Sequence, residues 1–392
     1  MRTRDLMLGT LFLAAIAVLG AGQSFVERTG VVRAQSGVQA PRFEVDPLWP
    51  KPLPNHWVMG MTIGVAVDAR DHVFIVHRPG SVSAGESPAA NGNAEECCEA
   101  APPILEFDPA GNLVGSWGGP GEGYEWPESN HGLAFDHRGN LWIGGNGAND
   151  AHILKFTRNG QFVAQFGRSG ANGGSHDREN FGRVAKVFVD ALENEVYVAD
   201  GYGNRRVAVL DADSGEFKRY WGAYGNRPDD GDLGRYDPDG PPAQQFRSPV
   251  HCSELSTDRL LYVCDRANDR IQVFRPDGTF VKEQFVEKRT LSGGSVWDVA
   301  FSRDQWQTYL YLADGVNQRI HILLRDTLEV LTSFGDGGRQ PGQFYGAHSI
   351  ATDSQGNIYT TETFEGRRVQ KFVYTGIGNV PRGHQGVVWP TE

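Results

Sequence analysis

Short runs in which apolar and polar residues alternate follow one another along the chain, separated by turns rich in Gly, Asp and Asn. This alternation predicts β-strands, and no segment shows the long helical period of an amphipathic helix. Six segments share a pattern of two strands joined by a turn, and most continue into a third and a fourth strand. In chain order they begin with IGVAVDARDHVFIVHR, HGLAFDHRGNLWIGGN, AKVFVDALENEVYVADG, HCSELSTDRLLYVCDR, WDVAFSRDQWQTYLYLADG and HSIATDSQGNIYTTET.

Four-stranded units that repeat at intervals of about 40 to 50 residues are typical of β-propellers. The sequence therefore predicts an all-β protein, a six-bladed β-propeller that spans residues 42–376. The sixth unit lacks an obvious outer strand, and the segment PRFEVDPLWP ahead of the first unit could supply it. This pairing would close the ring and cover the sheet edges. We expect residues 377–392 to form an irregular tail.

Residues 1–34 do not belong to the repeat. They begin with basic residues and continue as an apolar run from Leu6 to Gly22, which is typical of a secretory signal peptide. Cleavage could follow Gly22 or Ala34, and a retained N-terminal membrane anchor is the alternative. Since no later segment is apolar enough to span a bilayer, we expect a secreted or periplasmic protein with no membrane contact beyond such an anchor.

Composition narrows the range of partners. The chain of 392 residues carries a net charge of −11 and has no basic block, so we expect no nucleic-acid partner. Its four cysteines include no CxxC pair, which argues against a cysteine zinc site. Cys252 and Cys264 fall on neighbouring predicted strands, and an exported protein could keep a disulfide between them. Cys97 and Cys98 are adjacent, so a bridge between them would be strained, and we expect no function for them.

The ends of three second strands carry a recurring set of Asp, Asn and Arg. The sets are Asp200, Asn204 and Arg206; Asp265, Asn268 and Arg270; and Asp314, Asn317 and Arg319. They resemble the corresponding sets of NHL-type blades, so the predicted propeller is one of NHL-type repeats. Because Asp and Asn side chains bond readily to nearby donors in turns, we expect each set to tie one turn to the next strand.

A histidine stands at one repeat position in three of the six units. The residues at the start of the inner strand are, from unit one to unit six, Ile63, His131, Ala185, His251, Trp297 and His348. The end of the second strand fixes the register, because it follows fourteen residues later in units one, two, four and six. The three histidines therefore occupy equivalent positions in alternate blades.

Inner strands line the central channel of a propeller, and alternate blades of a six-bladed ring are a third of a turn apart. Three imidazoles at this position would converge on the axis, which predicts a three-histidine metal site with an open fourth position. Such a ligand set is typical of catalytic zinc. The alternative is that each histidine packs or forms a hydrogen bond by itself.

Three further residues are predicted on the face of the ring that holds the histidines. Arg78 and Arg266 follow the second strands of units one and four, and Tyr202 follows that of unit three. An arginine offers donors suited to a carboxylate, and a tyrosine can act as a general acid or base when a metal or an arginine stabilises its charged form. The alternative is structural: ion pairs of the arginines with Glu125 or Asp265, and a tyrosine ring that caps the channel.

With these residues in place, the region 42–376 resembles the peptidyl-α-hydroxyglycine α-amidating lyase family. The stretches that carry the resemblance are GVAVDARDHVFIVHR, HGLAFD, YVADGYGNRR, VHCSEL, VCDRANDRIQVF and AHSIATDSQGNIY. The resemblance implies a zinc-dependent lyase that cleaves the C–N bond of a peptidyl-α-hydroxyglycine-like substrate to an amide and glyoxylate. The substrate would be a peptide or a small molecule with an α-hydroxyglycine-like end.

The resemblance also implies a role for each residue of the predicted site. The zinc ligands would be His131, His251 and His348. Tyr202, with Arg78 beside it, would take the proton of the substrate's hydroxyl, and Arg266 would help to hold the glycine-derived carboxylate. Calcium is a second metal that the family implies, bound through an acidic residue directly after the third histidine. This chain has Ser349 there, which argues against calcium.

Two other functions remain as alternatives. A non-catalytic NHL propeller that binds a protein or a glycan would have no metal and no need of arginine and tyrosine on one face. A propeller lactonase or esterase usually holds calcium through Glu, Asn and Asp on the axis, and no such set stands in register in this sequence.

Overall fold

The computed structural model describes residues 37–390, so the predicted signal peptide or anchor at 1–34 lies outside the described residues. Six four-stranded sheets follow one another around a ring, and the strands within each sheet pair antiparallel. Helical structure in the described part is limited to four short 3-10 helices. The predicted all-β, six-bladed propeller is therefore confirmed.

Each blade is a meander of strands that pair in sequence order, except for the outer strand of blade six. Blade one comprises Met61–Val67, Val73–Arg78, Ile104–Phe107 and Leu113–Trp117, and blade two comprises Asn130–Phe135, Leu141–Gly145, His152–Phe156 and Phe162–Gly167. Blade three comprises Lys186–Asp190, Glu195–Asp200, Arg206–Asp211 and Phe217–Trp221, and blade four comprises Val250–Leu255, Leu261–Asp265, Arg270–Phe274 and Phe280–Phe285. Blade five comprises Asp298–Phe301, Tyr309–Asp314, Arg319–Leu324 and Val330–Phe334, and blade six comprises Ala347–Thr352, Ile358–Glu362, Val369–Val380 and Val38–Asp46. Outside the blades lie a parallel pair, Trp57–Val58 with Glu99–Ala100, and the 3-10 helices Pro79–Ser81, Ala89–Asn91, Ala223–Gly225 and Arg266–Asn268.

The first strand of the described chain closes the ring. Val38–Asp46 pairs antiparallel with Val369–Val380 and becomes the fourth strand of blade six, as the sequence indicated. The limits of 42 and 376 expected for the propeller fall inside these two strands. Residues 381–390 form no strand.

Apolar side chains of adjacent blades pack against each other and form the core. Between blades three and four, one cluster of buried residues includes Tyr197, Val209, Phe246, Leu261 and Phe274. Burial of each large apolar side chain contributes about 1.5 to 3 kcal/mol. This packing holds the first strand of every blade at a fixed place beside the central channel.

Two of the three sets of Asp, Asn and Arg act as predicted. In blades three and four the aspartate, Asp200 or Asp265, accepts hydrogen bonds of 2.7 to 2.8 Å from the asparagine and the arginine of its own set, and all six side chains are buried. In blade five, the side chains that donate to Asp314 are the asparagine of its set and His321, instead of Arg319. The turns of blades three and four are thus tied to the third strands by buried ion pairs.

Two disulfides are present in the described part of the chain. Cys252 and Cys264 face each other on the first and second strands of blade four, as anticipated. Cys97 and Cys98 are also bonded, in the long loop after the second strand of blade one. No helix between residues 37 and 390 is long and apolar enough to cross a membrane.

Candidate metal centre

The first strands of blades two, four and six bring three histidines together at the centre of the ring. His131, His251 and His348 are 2, 3 and 4% exposed, and their ring centroids lie 4.8 to 5.1 Å apart. Each ring contributes one nitrogen, and the three nitrogens all lie within 4.8 Å of one another. The nearly equal spacing agrees with their common repeat position, and the cluster could hold a metal ion.

Each imidazole is oriented by a backbone carbonyl of the next blade, which accepts a hydrogen bond from Nδ1. The pairs, with their Nδ1–oxygen distances, are His131 with Ala185 (2.7 Å), His251 with Trp297 (2.5 Å) and His348 with Ile63 (2.7 Å). The three acceptors are the residues that stand at the histidine position in blades three, five and one. With the proton on Nδ1, the lone pair of Nε2 is left for a metal.

The surroundings of the cluster favour neutral imidazoles. Burial lowers the pKa of each of the three histidines well below 6.5, and nearby positive charges, including that of Arg266, lower it further. The rings are therefore uncharged at neutral pH. This is the form in which histidine binds a metal ion.

The hydroxyl of Tyr202 lies between two of the imidazoles. It is 3.0 Å from Nε2 of His131 and 3.1 Å from Nε2 of His251. With Nδ1 protonated, both nitrogens are acceptors, and the single phenolic proton can serve only one of them. A divalent cation could accept the lone pairs of both nitrogens. The two Nε2 atoms are therefore better satisfied by a bound metal than by hydrogen bonds from the one hydroxyl.

Arg266 also contacts the Tyr202 hydroxyl. Its Nη1 donates a hydrogen bond to that oxygen at 3.1 Å, and its guanidinium carbon lies 4.3 Å from the ring centre of Trp297. Its Nε is buried without a hydrogen-bond partner in the protein. The second arginine expected at this site therefore has a free donor beside the cluster.

Arg78 is directed toward blade two. Its Nε donates to the carbonyl of Asn130 (3.1 Å), and its Nη2 donates to Oδ1 of Asn146 (2.7 Å). Burial lowers the pKa of Arg78, but a guanidinium keeps its charge at neutral pH. The arginine that the resemblance placed beside the tyrosine is thus held by blade two, while Arg266 makes the contact with the hydroxyl.

The carboxylates proposed as structural partners for these arginines are bound elsewhere. Glu125 accepts hydrogen bonds from the Ser169 amide (3.0 Å) and from Gln165 (2.7 Å). Asp265 pairs with Arg270 at 2.7 Å, and both side chains are fully buried. The structural alternative, in which Glu125 or Asp265 explains the two arginines, is therefore not supported.

Arg183 is a third arginine beside Tyr202, and it was not predicted from the sequence. Its Nε donates to the carbonyl of Asn146 (2.8 Å), and its guanidinium carbon lies 6.0 Å from the tyrosine ring centre. The sequence does mark this residue when the repeat position two residues before the histidine position is compared across the blades. The residues there, from blade one to blade six, are Met61, Ser129, Arg183, Pro249, Ser295 and Gly346. Only blade three has a charge at that place.

One residue past the histidine position, a buried lysine binds two carboxylates. Nζ of Lys186 is 2.8 Å from Asp298 and 2.8 Å from Glu254. Burial opposes the charge, but the two carboxylates raise the pKa of Lys186, so it stays an ammonium. Burial raises the pKa of Glu254 to about 7, and one ammonium balances only one of the two acids. Ser349, directly after the third histidine, donates to Asp298 at 2.5 Å.

No protein-family model matches the chain. Among curated proteins, peptidyl-α-hydroxyglycine α-amidating lyase 1 of Drosophila melanogaster is 25% identical over 353 residues, which cover 84% of this chain and 59% of that protein. The peptidyl-glycine α-amidating monooxygenase of Mus musculus is 29% identical over 235 residues, 57% of this chain and 22% of that protein. NHL repeat-containing protein 3 of Mus musculus is 24% identical over 302 residues, 74% of this chain and 70% of that protein.

The matched region spans between 16 and 22% of the length of the amidating monooxygenases. Among solved structures, a protein of unknown function from Bacteroides thetaiotaomicron VPI-5482 aligns with a TM-score of 0.50 at 12% identity, over 86% of this chain and 76% of that chain. At this identity the likeness concerns the fold alone. The chain is thus a six-bladed β-propeller whose homologues include a peptidyl-α-hydroxyglycine α-amidating lyase and an NHL repeat-containing protein.

Proposed function

We propose that the protein is a zinc-dependent lyase that cleaves the C–N bond of a peptidyl-α-hydroxyglycine-like substrate and releases an amide and glyoxylate. The observation that carries this proposal is the cluster of three buried, neutral imidazoles whose nitrogens converge beside the Tyr202 hydroxyl. Three histidines with an open fourth position are typical of catalytic zinc. The activity named for the Drosophila melanogaster relative supports the same reaction.

The reaction requires one proton transfer away from the substrate and one back to it. The hydroxyl loses its proton, a C=O bond forms in glyoxylate, and the electron pair of the breaking C–N bond passes to the amide nitrogen. In our proposal Tyr202, as the phenolate, accepts the hydroxyl proton and returns it to the departing amide nitrogen, so none is consumed. Zinc, when bound, supplies Lewis-acid polarisation of a substrate oxygen.

The arginines would stabilise negative charge rather than transfer protons. Nη1 of Arg266 donates to the Tyr202 oxygen, so it stabilises negative charge there. Its Nη2, which donates to no protein atom of the described chain, offers a further donor to the glycine-derived carboxylate. Arg78 supplies a second fixed positive charge from its place against blade two.

We propose a secreted or periplasmic location for this enzyme. The two disulfides are typical of proteins from oxidising compartments. The signal-like composition of residues 1–34 supports the same location. The substrate would then be an extracytoplasmic peptide or small molecule with an α-hydroxyglycine-like end.

We also propose that the ammonium of Lys186 replaces the calcium that the resemblance implies. The residue after the third histidine is Ser349, whose hydroxyl donates a hydrogen bond to Asp298. Asp298 and Glu254 are themselves bound to the ammonium. The acids joined to Ser349 in this network are therefore bonded to a cation of the chain itself, and calcium would have to displace it.

Lys186→Met tests this internal cation. We expect it to lower the free energy of unfolding by about 3 to 5 kcal/mol, because the buried Asp298 and the half-buried Glu254 lose the one ammonium that they share. Lys218→Met, in a partly exposed pair with Glu195, is the matched control and is expected to cost at most about 1 kcal/mol. Urea unfolding measures the loss of stability in each of the two variants. A rise in the unfolding midpoint of the unmodified protein on addition of calcium would contradict the replacement.

Metal content and product release test the proposed function. We expect the purified protein to hold close to one zinc per chain. It should release glyoxylate from a peptide that ends in α-hydroxyglycine, stop when zinc is chelated, and resume when zinc is restored. The same peptide ending in glycine, which lacks the hydroxyl, is the control substrate. Zinc without glyoxylate would remove the reaction but keep the site, and a folded protein without zinc would favour a propeller that binds a protein or a glycan.

A further inference from the structure

We propose that the site selects substrates that carry a second carboxylate, and that Arg183 is the residue that binds it. This inference rests on the proposed function, because that function places the first, glycine-derived carboxylate at Arg266. It names the substrate class more narrowly: an N-acyl-α-hydroxyglycine whose acyl part bears a carboxylate within a few bonds of the amide.

The site holds more positive charge than one carboxylate can balance. Three arginines, Arg78, Arg183 and Arg266, stand near Tyr202, and none of the ion pairs among residues 37–390 includes any of them. A bound divalent metal would increase the excess, so the site favours an anion of more than one charge.

The carboxylates nearest in the fold form no ion pair with Arg183 or Arg266. At the ends of the second strands, Asp200, Asp265 and Glu362 pair with arginines of their own blades at 2.6 to 2.8 Å. Asp150, four residues after Asn146, accepts hydrogen bonds from three backbone amides at 2.6 to 3.1 Å, and its charge favours the guanidinium form of Arg78. Each acid is thus committed to holding a turn or a loop.

The three arginines form two separate anchor points. Arg78 and Arg183 are held together by Asn146, which accepts from one through its side chain (2.7 Å) and from the other through its carbonyl (2.8 Å). Arg266 stacks instead on Trp297 of blade five. The guanidinium carbons of Arg183 and Arg266 lie 6.0 and 5.6 Å from the same tyrosine ring centre, so they are at most 11.6 Å apart, within the span of a ligand that carries two carboxylates.

Arg183 is better placed than Arg78 to receive the second carboxylate. Arg78 uses Nε and Nη2 in hydrogen bonds to blade two. In Arg183 only Nε donates to a protein atom of the described chain, and the side chain is half-buried. Its Nη1 and Nη2 therefore remain as a forked pair of donors, the arrangement that binds a carboxylate through both oxygens.

Binding of unreactive analogues tests the selectivity without the reaction. N-succinylglycine carries both carboxylates, N-succinamylglycine has an amide in place of the second, and neither has the hydroxyl that the reaction needs. We expect the zinc-loaded protein to bind the dicarboxylate about tenfold more tightly by isothermal titration calorimetry, since a hydrogen bond to a charged group is worth at least that. In Arg183→Met this preference should disappear, and in Arg183→Lys part of it should return.

Arg168→Met is the matched control, because Arg168 is exposed at the end of blade two and should leave the preference unchanged. Circular dichroism shows whether each variant is folded. Equal binding of the two analogues by the unmodified protein overturns the inference whether or not glyoxylate is released. A tenfold preference without glyoxylate release keeps the selectivity and removes the proposed reaction. A preference that survives in Arg183→Met overturns the role of Arg183.

Discussion

Replacing His131 with alanine is expected to lower the affinity for zinc by more than about 100-fold and to abolish glyoxylate release. The substitution leaves two of three ligand nitrogens, and even changes to groups that only orient a metal ligand lower affinity by about 10- to 100-fold. The β-sheet signal should persist, because the packing between blades does not depend on this imidazole. Competition with a chromophoric zinc chelator measures the affinity, and far-UV circular dichroism measures the fold.

His152→Ala is the matched control for this experiment. His152 lies in the same blade, is 1% exposed, and has its Nε2 bonded to the Glu125 carbonyl (2.6 Å). It stands on the third strand, outside the cluster, so its loss should lower stability but leave zinc bound. Equal zinc affinity in the unmodified protein and in His131→Ala would contradict the metal site. Loss of zinc in both variants would point to unfolding instead.

The position of the histidine cluster could be predicted because a propeller repeats its backbone geometry. Residues in one register share a height and a direction, so His131, His251 and His348 had to meet once the blades closed into a ring. The same register holds the carbonyls that accept from Nδ1, at Ile63, Ala185 and Trp297. One repeat position therefore supplies both the candidate ligands and the groups that orient them.

Contacts of long side chains between blades could not be predicted in this way. Arg78 and Arg266 follow equivalent strands, yet one is bonded to Asn146 and the other to Tyr202. The direction of each arginine side chain depends on the hydrogen-bond acceptors of the adjacent blade. These acceptors differ from blade to blade, so the repeat pattern does not predict them.

Two repeat positions that hold mostly small or apolar residues carry a charged residue in one or two blades. These charges mark further residues of the site. The residues one place past the histidine position, from blade one to blade six, are Gly64, Gly132, Lys186, Cys252, Asp298 and Ser349. The one lysine and the one aspartate of this row form a buried ion pair. Arg183 departs from its own row in the same manner, so both residues could have been found by listing charge at each register position.

Tyr202→Phe is expected to lower kcat for glyoxylate release by about 10²- to 10⁴-fold, the usual contribution of a positioned proton acceptor. Phenylalanine keeps the ring against which the guanidiniums of Arg183 and Arg266 lie, and it removes only the hydroxyl. The three histidines stay in place, so the zinc content should be unchanged. Steady-state kinetics and metal analysis of the same sample separate the two effects.

Tyr220→Phe provides the control, because it removes a hydroxyl that also contacts a histidine, His176, but on the outer strand of blade three. Its kcat and zinc content should match those of the unmodified protein. If Tyr202→Phe loses zinc as well as activity, the hydroxyl helps to bind the metal, which its distances of 3.0 and 3.1 Å from two Nε2 atoms would then reflect. If kcat falls by less than about tenfold, another group takes the proton. Loss of turnover with zinc retained and KM unchanged assigns the hydroxyl to the chemical step, because a residue that only bound the substrate would raise KM and leave kcat unchanged.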